Sequence, residues 1–331
     1  MVTSTENGPL ASLPRIEWIE RQGTVLHPTP LAEAPEVLGL NLTRGCGHRC
    51  SFCSVRAYPG YSGDLVLQAY KHTARRLASE LAHRKVLPRA VFLSPASDPF
   101  PPFTVIQEEA DRVIDVLIER GIQPWLMTRG LIRLGVLNVL QKRPDLIKAT
   151  IAMTTLDRTL QRQLEPLAAS PRLRLRQISE LRQRGMSVRV ALEPLIPGLT
   201  DTRDHIEPLL EAVAKAGVQQ ITAGYLFQRP GIMQNLQPTL ALRGIEEDVN
   251  EAYEGGPWLN AAGMASAHYL RRSTRQHGFA RIMALASKMG IQVSVSALLN
   301  PDFAAPRVYL QGSASNQPHL PLLFQASSGR R

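Results

Sequence analysis

The sequence predicts an α/β protein: a partial (βα)6 TIM-like barrel of parallel strands with N- and C-terminal extensions. Three observations predict it. Between residues 35 and 230, six short apolar strands are each followed by helical material, the pattern of a parallel sheet with right-handed crossovers. Helical stretches end at Gly121, Gly185 and Gly217, where a left-handed cap is favoured. The first strand is followed by no G-x-G-x-x-G phosphate loop, and a cysteine loop occupies that place. The count of units alone does not separate a partial barrel from an open doubly wound sheet. The missing dinucleotide loop favours the barrel.

Along the chain, residues 1–34 are rich in Pro, Ser and Thr and read as an extended lead-in. Residues 35–230 form the barrel. Its first strand, 37–42, delivers the cysteine loop. A helix over 73–85, a strand over 90–93 and a proline-rich polar loop over 94–102 follow. Helix 104–120 carries Val105, Ile106, Val113, Ile114, Leu117 and Ile118 on one expected buried face. Strand 123–128 precedes helix 131–142, and strand 147–153 precedes helices at 157–164 and 171–184. Strand 187–192 precedes helix 203–216, and strand 219–226 is the sixth. Residues 231–311 form an α-rich C-terminal extension, irregular over 231–260 and helical over 262–289, with one more strand at 291–295. Residues 312–331 read as a tail. Within it, Leu320-Pro321-Leu322-Leu323-Phe324 is either a docking segment or a weak linear motif for a partner groove.

Composition bounds the function. At 331 residues with 44% apolar and 20% charged residues, the chain can bury a large core, which argues against a disordered protein. No apolar run reaches about 18 residues, so no membrane partner is expected. Residues 1–14 lack a secretory pattern, and three cysteines cannot form a paired disulfide framework. A cytoplasmic location is expected. The net charge of +10 favours polyanionic partners, DNA or RNA. Arg172, Arg174 and Arg176, and Arg271, Arg272 and Arg275, are candidates for a phosphate-tracking face, with a solvated helix surface as the competing explanation.

The chemistry lies in Cys46-Gly47-His48-Arg49-Cys50-Ser51-Phe52-Cys53, a C-x3-C-x2-C loop holding every cysteine of the chain. Three thiolates on one loop suit three irons of a [4Fe–4S] cluster and leave the fourth iron open to a substrate. A Cys3His zinc site using His48 is the structural competitor. It would crowd all its ligands onto one loop, and no second cysteine pair exists.

Further peptides extend the pattern. After residues 41–56 come Ser97-Asp98-Pro99-Phe100-Pro101-Pro102, Thr128-Arg129, Thr154-Thr155-Leu156-Asp157 and Leu164-Glu165-Pro166. Ser170-Pro171-Arg172-Leu173 and Pro194-Leu195-Ile196-Pro197-Gly198-Leu199-Thr200-Asp201 complete the series. Over roughly residues 36–230 this series resembles the spore photoproduct lyase-like (DNA-repair-photolyase-like) family of the radical S-adenosylmethionine (SAM) superfamily.

That resemblance implies a [4Fe–4S] cluster on Cys46, Cys50 and Cys53, with SAM on the open iron. It further implies reductive cleavage of SAM to a 5′-deoxyadenosyl radical, DNA repair or nucleic-acid modification, and an electron donor such as flavodoxin or ferredoxin. On this basis Arg129 is the candidate for the SAM carboxylate, although the family tends to carry Lys there. Ser97 and Asp98 are candidates for its ammonium, Thr154 or Thr155 for its ribose or carboxylate, and Glu193 for ribose hydroxyls. Phe52 is the candidate for the adenine edge. Turn, cap or ion-pair roles compete for Ser97, Asp98 and Glu193.

One departure stands out. Spore photoproduct lyase uses a cysteine outside its cluster loop as hydrogen-atom donor, and this chain has no fourth cysteine. Tyr225, Tyr58 and Tyr61 are the candidate radical relays, with packing as the competing role. An auxiliary iron–sulfur cluster is excluded on the same count. A radical SAM enzyme acting on a peptide or small metabolite is the alternative, and a metal-stabilised nucleic-acid-binding module without turnover is the non-enzymatic one.

Overall fold

A computed structural model describes residues 13–29, 36–57, 60–260, 266–296 and 299–303. Tyr58 and the 320–324 segment lie outside these residues. Strands β1 (Arg15–Ile19) and β2 (His27–Pro28) come from the lead-in, followed by β3 (Val37–Leu40), β4 (Thr43–Arg44) and β5 (Val66–Tyr70). Then α1 (Thr73–Ala82), β6 (Ala90–Leu93), α2 (Thr104–Ile118), β7 (Gln123–Thr128), α3 (Leu134–Leu140) and β8 (Lys148–Ala152) alternate. The sequence of elements continues with α4 (Arg158–Leu164), α5 (Pro171–Gln183), β9 (Ser187–Leu195), α6 (Arg203–Lys215) and β10 (Gln220–Tyr225). The C-terminal part holds α7 (Pro230–Ala241), α8 (Glu246–Tyr253), β11 (Trp258–Asn260), β12 (Ser266–His268), α9 (Arg272–Ser287) and β13 (Gln292–Val295).

The main sheet has eight strands in the order β13-β10-β9-β8-β7-β6-β3-β2. All neighbouring pairs are parallel except β2 with β3. Six of the parallel strands are the expected ones, and the sheet is that of a partial TIM-like barrel. The seventh, β13, pairs with β10 in register Gln220↔Gln292, so the C-terminal extension lengthens the barrel sheet beyond residue 230. The lead-in is likewise structural: β1 pairs in parallel with β5 beside β4 in a separate small sheet.

Two expectations change in the C-terminal region. Residues 231–260 contain two regular helices, and the expected helix over 262–289 begins only at Arg272, preceded by the β11–β12 hairpin. Along α2, Ile106, Val113, Ile114, Leu117 and Ile118 are buried, whereas Val105 is 41% exposed. Val105 is the second residue of the helix, one step round the cylinder from Ile106 and outside the apolar stripe.

The fold needs one close approach near the strand ends. A Cβ on Gly130 would lie 1.9 Å from the Phe100 carbonyl oxygen, so only glycine lets the loop after β6 cross the end of β7. That crossing brings Asp98 and Arg129 together.

Candidate active site

The cysteine loop leaves β4 through Gly45, whose φ of +83° is natural for glycine, and turns again at Arg49 with φ +57°. Its backbone is tied to the last residue of α4 and to the segment that follows. The Ser51 N–H and hydroxyl both donate to the Leu164 carbonyl, at 2.8 and 3.3 Å, and the Leu167 N–H donates to the His48 carbonyl at 3.2 Å. His48 is buried, with Nδ1 3.2 Å from the Leu167 carbonyl oxygen. Its Nε2 lies 3.1 Å from Asp98 Oδ2, close enough for an ion pair though not aligned as a hydrogen bond. His48 therefore anchors the loop, facing Leu167 and Asp98.

Asp98 is fully engaged. Oδ1 accepts from the Phe100 N–H at 2.8 Å and the Thr128 hydroxyl at 2.7 Å, and Oδ2 accepts from the Arg129 N–H at 2.8 Å. Burial pushes its carboxyl up, but the charge and contact of His48 with the Arg129 and Thr128 donors hold it below the usual range. In this arrangement the carboxylate organises three loops, with two donors on Oδ1 and one donor plus the His48 contact on Oδ2. Ser97 stands beside it, half-buried, its hydroxyl accepting from Thr43 at 3.0 Å.

Arg129 leaves β7 into the centre of the site. Its Nη1 donates to Thr154 Oγ1 at 3.0 Å and Glu165 Oε1 at 2.5 Å, its Nη2 donates to the Glu193 carbonyl at 2.5 Å, and the guanidinium lies 4.9 Å over the Phe52 ring. Its remaining N–H groups are available to a ligand. Glu165 is the hub beneath it. Wholly buried, its Oε1 also accepts from Thr154 at 2.6 Å, and its Oε2 pairs with Arg174. Burial pushes the Glu165 carboxyl up, yet Arg174 and Arg129 hold it below the ordinary carboxylate value.

Thr155 is turned away, its hydroxyl accepting from the Asp157 N–H at 2.9 Å, while Asp157 caps α4 through Thr159 and Leu160. Glu193 is buried near the end of β9 and raised by burial, with Thr222 and Ser296 donating to it. Among the described residues its Oε1 has no hydrogen-bond partner.

These residues meet in one cavity enclosing about 1040 Å³ of atom-free space, its open mouth included. Cys46, Cys50, Cys53, Phe52, Ser97, Asp98, Arg129 and Glu193 all line it. Thr154 and Thr155 do not: Thr154 reaches the site through Arg129, and Thr155 stays in its turn. Glu165 and Arg174, beneath the floor, are the contributors that sequence reasoning missed. Helix α5 carried a signal, because Arg174 falls in register with the buried Pro171, Ile178 and Leu181.

The donor set fits a cluster. Among the described residues no three His, Cys, Asp or Glu side chains gather tightly enough for a single ion. Cys46, Cys50 and Cys53 all line one shared cavity, and three soft thiolate donors on one loop are the set that would hold three irons of a cluster. Burial pushes all three thiols up, so as thiolates they need a cation to compensate them. Behind the loop, Arg56 bonds the Cys50 carbonyl and pairs with Asp64 at 3.0 Å, and Tyr61 donates to Asp64. Tyr225 is a core residue: its hydroxyl donates to Asp201 at 2.8 Å and its ring packs 5.3 Å from Phe279.

The two arginine clusters are not continuous surfaces. Arg174 is 1% exposed, and Arg275 is completely buried, paired with Asp302 at 2.6 Å. Each cluster retains only two exposed arginines, Arg172 with Arg176 and Arg271 with Arg272. Among the described residues, no helix is long and apolar enough to cross a membrane.

No family model matches the chain. An uncharacterized protein of Mycobacterium tuberculosis is 25% identical over 253 residues, 71% of this chain and 73% of that protein. The Radical SAM Nα-GlyT isomerase of Pseudomonas phage M6 is 24% identical over 197 residues, 58% of this chain and 40% of that protein. Among solved structures, spore photoproduct lyase complexed with dinucleoside spore photoproduct superposes with a TM-score of 0.64 at 12% identity, covering 84% of this chain and 81% of that one. A variant of it with bound AdoMet and the same dinucleoside gives 0.60 at 13% identity, covering 77% and 75%. The chain therefore has the fold of the radical SAM enzyme spore photoproduct lyase, and its resemblance to that family holds at the level of the fold.

Proposed function

We propose that this chain is a radical SAM enzyme acting on nucleic acid, with Cys46, Cys50 and Cys53 holding a [4Fe–4S] cluster and SAM bound beside it. The observation that carries the reading is the meeting of all three thiols with Arg129, Ser97 and the unpartnered Glu193 oxygen in one cavity at the C-terminal ends of the parallel strands. When bound, the cluster supplies the single electron, delivered by a small redox protein, that cleaves SAM.

The chain's own residues do the rest. Arg129, held by Glu165 and Thr154, presents its remaining N–H groups to a carboxylate, and the fork geometry suits bidentate pairing. Ser97 offers an acceptor to an ammonium. Glu193 offers an unused carboxylate oxygen to a hydroxyl donor, which would satisfy the one buried polar atom of that side chain lacking a partner. Phe52, Leu226 and Phe227 give the cavity an apolar wall that excludes water from the reacting centre. The nucleic-acid part of the reading is supported by the net charge of +10 and by the dinucleoside spore photoproduct in complex with the structural relative.

Anaerobic reconstitution with iron and sulfide, then SAM and dithionite, tests the enzyme. The expected product is 5′-deoxyadenosine, abolished in Cys50→Ala; a tightly held zinc with no SAM cleavage overturns the reading. Binding of DNA and RNA over a salt series tests the partner, since phosphate contacts impose a steep salt slope. A flat slope transfers the assignment to a peptide or small metabolite.

A further inference from the structure

A second groove opens beside the cavity. The loops after β6 and β7 and the turn between α4 and α5 enclose about 750 Å³ of atom-free space there, its mouth included, with Phe103, Leu131, Arg133, Leu167 and Leu173 in its walls. His48 is the one residue that lines both this groove and the cavity of the three thiols. It stands midway between Cys46 and Cys50 in sequence, so at that point the partition between groove and cluster loop is one buried residue thick.

The rim of the groove is apolar. Val105, Leu131, Leu134 and Leu173 line it or adjoin in sequence a residue that does, and each is at least 40% exposed. Single exposed aliphatic residues need no explanation, but several around one concavity mark a contact surface. Its charge is positive. The two acids of α2 nearest the groove, Glu108 and Glu109, are paired with Arg133 and Arg112 at 3.6 and 2.9 Å. Arg172 and Arg176, exposed and one turn apart on α5, flank Leu173, and among the described residues neither pairs with a carboxylate. The starts of α2 and α5, with no acid in their first turns, add dipole ends of the same sign.

An apolar centre with a basic rim complements an acidic protein surface. A symmetric dimer would set this basic rim against the same arginines of the second copy. Residues 304–331, which include the apolar 320–324 segment, hold three arginines and no acid. A nucleic-acid strand would meet aliphatic side chains where it needs flat rings to stack on.

We infer that the groove is the docking surface for an acidic protein that carries single electrons and passes one to the cluster across the His48 partition. The donor is oxidised by one electron and the cluster reduced by one, with no bond or proton transferred. The use of that electron rests on the radical SAM reading above; the shape and charge of the groove do not.

The test compares the reconstituted full chain with Arg172→Glu/Arg176→Glu and with Leu173→Glu, at residues that do not line the cavity. Formation of 5′-deoxyadenosine is followed with dithionite, a small reductant that needs no docking, and with reduced flavodoxin and plant-type ferredoxin as acidic carriers. Binding of each oxidised carrier is measured in parallel over a salt series. Wild type should bind at least one carrier, more weakly as salt rises. Both variants should lose about tenfold or more in carrier affinity and in carrier-driven rate, yet keep the dithionite-driven rate. Acids at positions 172 and 173 lie in the first turn of α5, where they suit its dipole, so the fold should hold. Hydrogen exchange of wild type needs no variant, and bound carrier should protect residues 102–108, 131–134 and 167–176.

Equal carrier affinity and rate in wild type and variants overturn the docking surface and leave the radical SAM reading standing. Protection elsewhere on the chain, or no binding of either carrier, overturns it as well. So does a loss of DNA or RNA binding in the variants with carrier binding unchanged, which makes the groove a nucleic-acid face. If wild type makes no 5′-deoxyadenosine even with dithionite, the radical SAM reading fails and the electron-transfer role falls with it.

Discussion

His48 Nε2 stands 3.1 Å from Asp98 Oδ2, so the carboxylate that orders the turns after β6 and β7 also holds the cysteine loop. The loop's shape thus depends on a group 45 residues from its last cysteine in sequence, where 98 − 53 = 45. Replacing Asp98 by Asn keeps the volume but removes the charge and at least one acceptor. The chain should lose about 2 kcal/mol, the size of a hydrogen bond to a charged group. Urea unfolding measures this. Iron bound per chain after reconstitution should fall as well, and unchanged iron content would show that the loop holds its shape unaided.

Glu165 joins Arg129 to Arg174 below the cavity floor, and its loss leaves two buried arginines without their carboxylate. Glu165→Gln should cost about 3–5 kcal/mol, as removal of one member of a buried ion pair does. Its sign with pH is definite. The folded carboxyl sits below its ordinary value of 4.5, so the folded state binds fewer protons than the unfolded one. The stability it contributes is present above that value and lost as pH falls through the folded one. Unfolding midpoints measured from neutral pH downward should drop more steeply in wild type than in Glu165→Gln.

How far the sequence reached follows from the range of each signal. Strands β6 and β7 match their expected bounds because apolar runs and glycine stops are local. The gathering of Cys46, Cys50, Cys53, Phe52, Ser97, Asp98, Arg129 and Glu193 around one cavity follows from placing each at the C-terminal end of a parallel strand. What those side chains bond was not legible. Asp98 is expected from the sequence to be a ligand acceptor, and what the pattern does not report is that it also takes contacts from His48, Phe100, Thr128 and Arg129, which only the folded loops create. Arg174 was read with its neighbours as a surface charge, because charge outweighed its place in the α5 stripe; its burial requires Glu165, from outside the helix. Strand β13 was seen as a strand, but its partner β10 lies some seventy residues upstream, where no local pattern reports it.

Gly130→Ala should be severely destabilising, because the new Cβ would lie 1.9 Å from one backbone atom and 2.9 Å from another, both of Phe100. Backbone cannot yield as a side chain end can. A loss above about 3 kcal/mol is expected, in the tail of single-substitution effects. Gly135→Ala is the control: inside α3, its nearest atom is 3.8 Å away, and it should gain up to about 1 kcal/mol from helix propensity. Chemical denaturation of both variants measures the contrast. Equal effects would mean that the crossing of the two loops is looser than it stands.

Glu193→Gln should move stability and ligand binding in opposite directions. Burial raises the Glu193 carboxyl, so the folded state holds its proton more tightly than the unfolded one. Its contribution to stability is therefore present below the ordinary value of 4.5 and lost as pH rises through the raised folded value. Near neutral pH the ionised side chain is a burden, and the neutral amide should raise the melting temperature by about 2 °C, roughly 1 kcal/mol for a chain of this size. The same change removes the carboxylate oxygen that lacks a partner in the cavity. If that oxygen receives a ribose hydroxyl, SAM binding to reconstituted protein should weaken about tenfold, the value of one hydrogen bond to a charged acceptor. Scanning calorimetry and equilibrium dialysis read the two effects separately. A variant less stable than wild type with undiminished SAM affinity would make Glu193 a structural residue and remove it from the binding site.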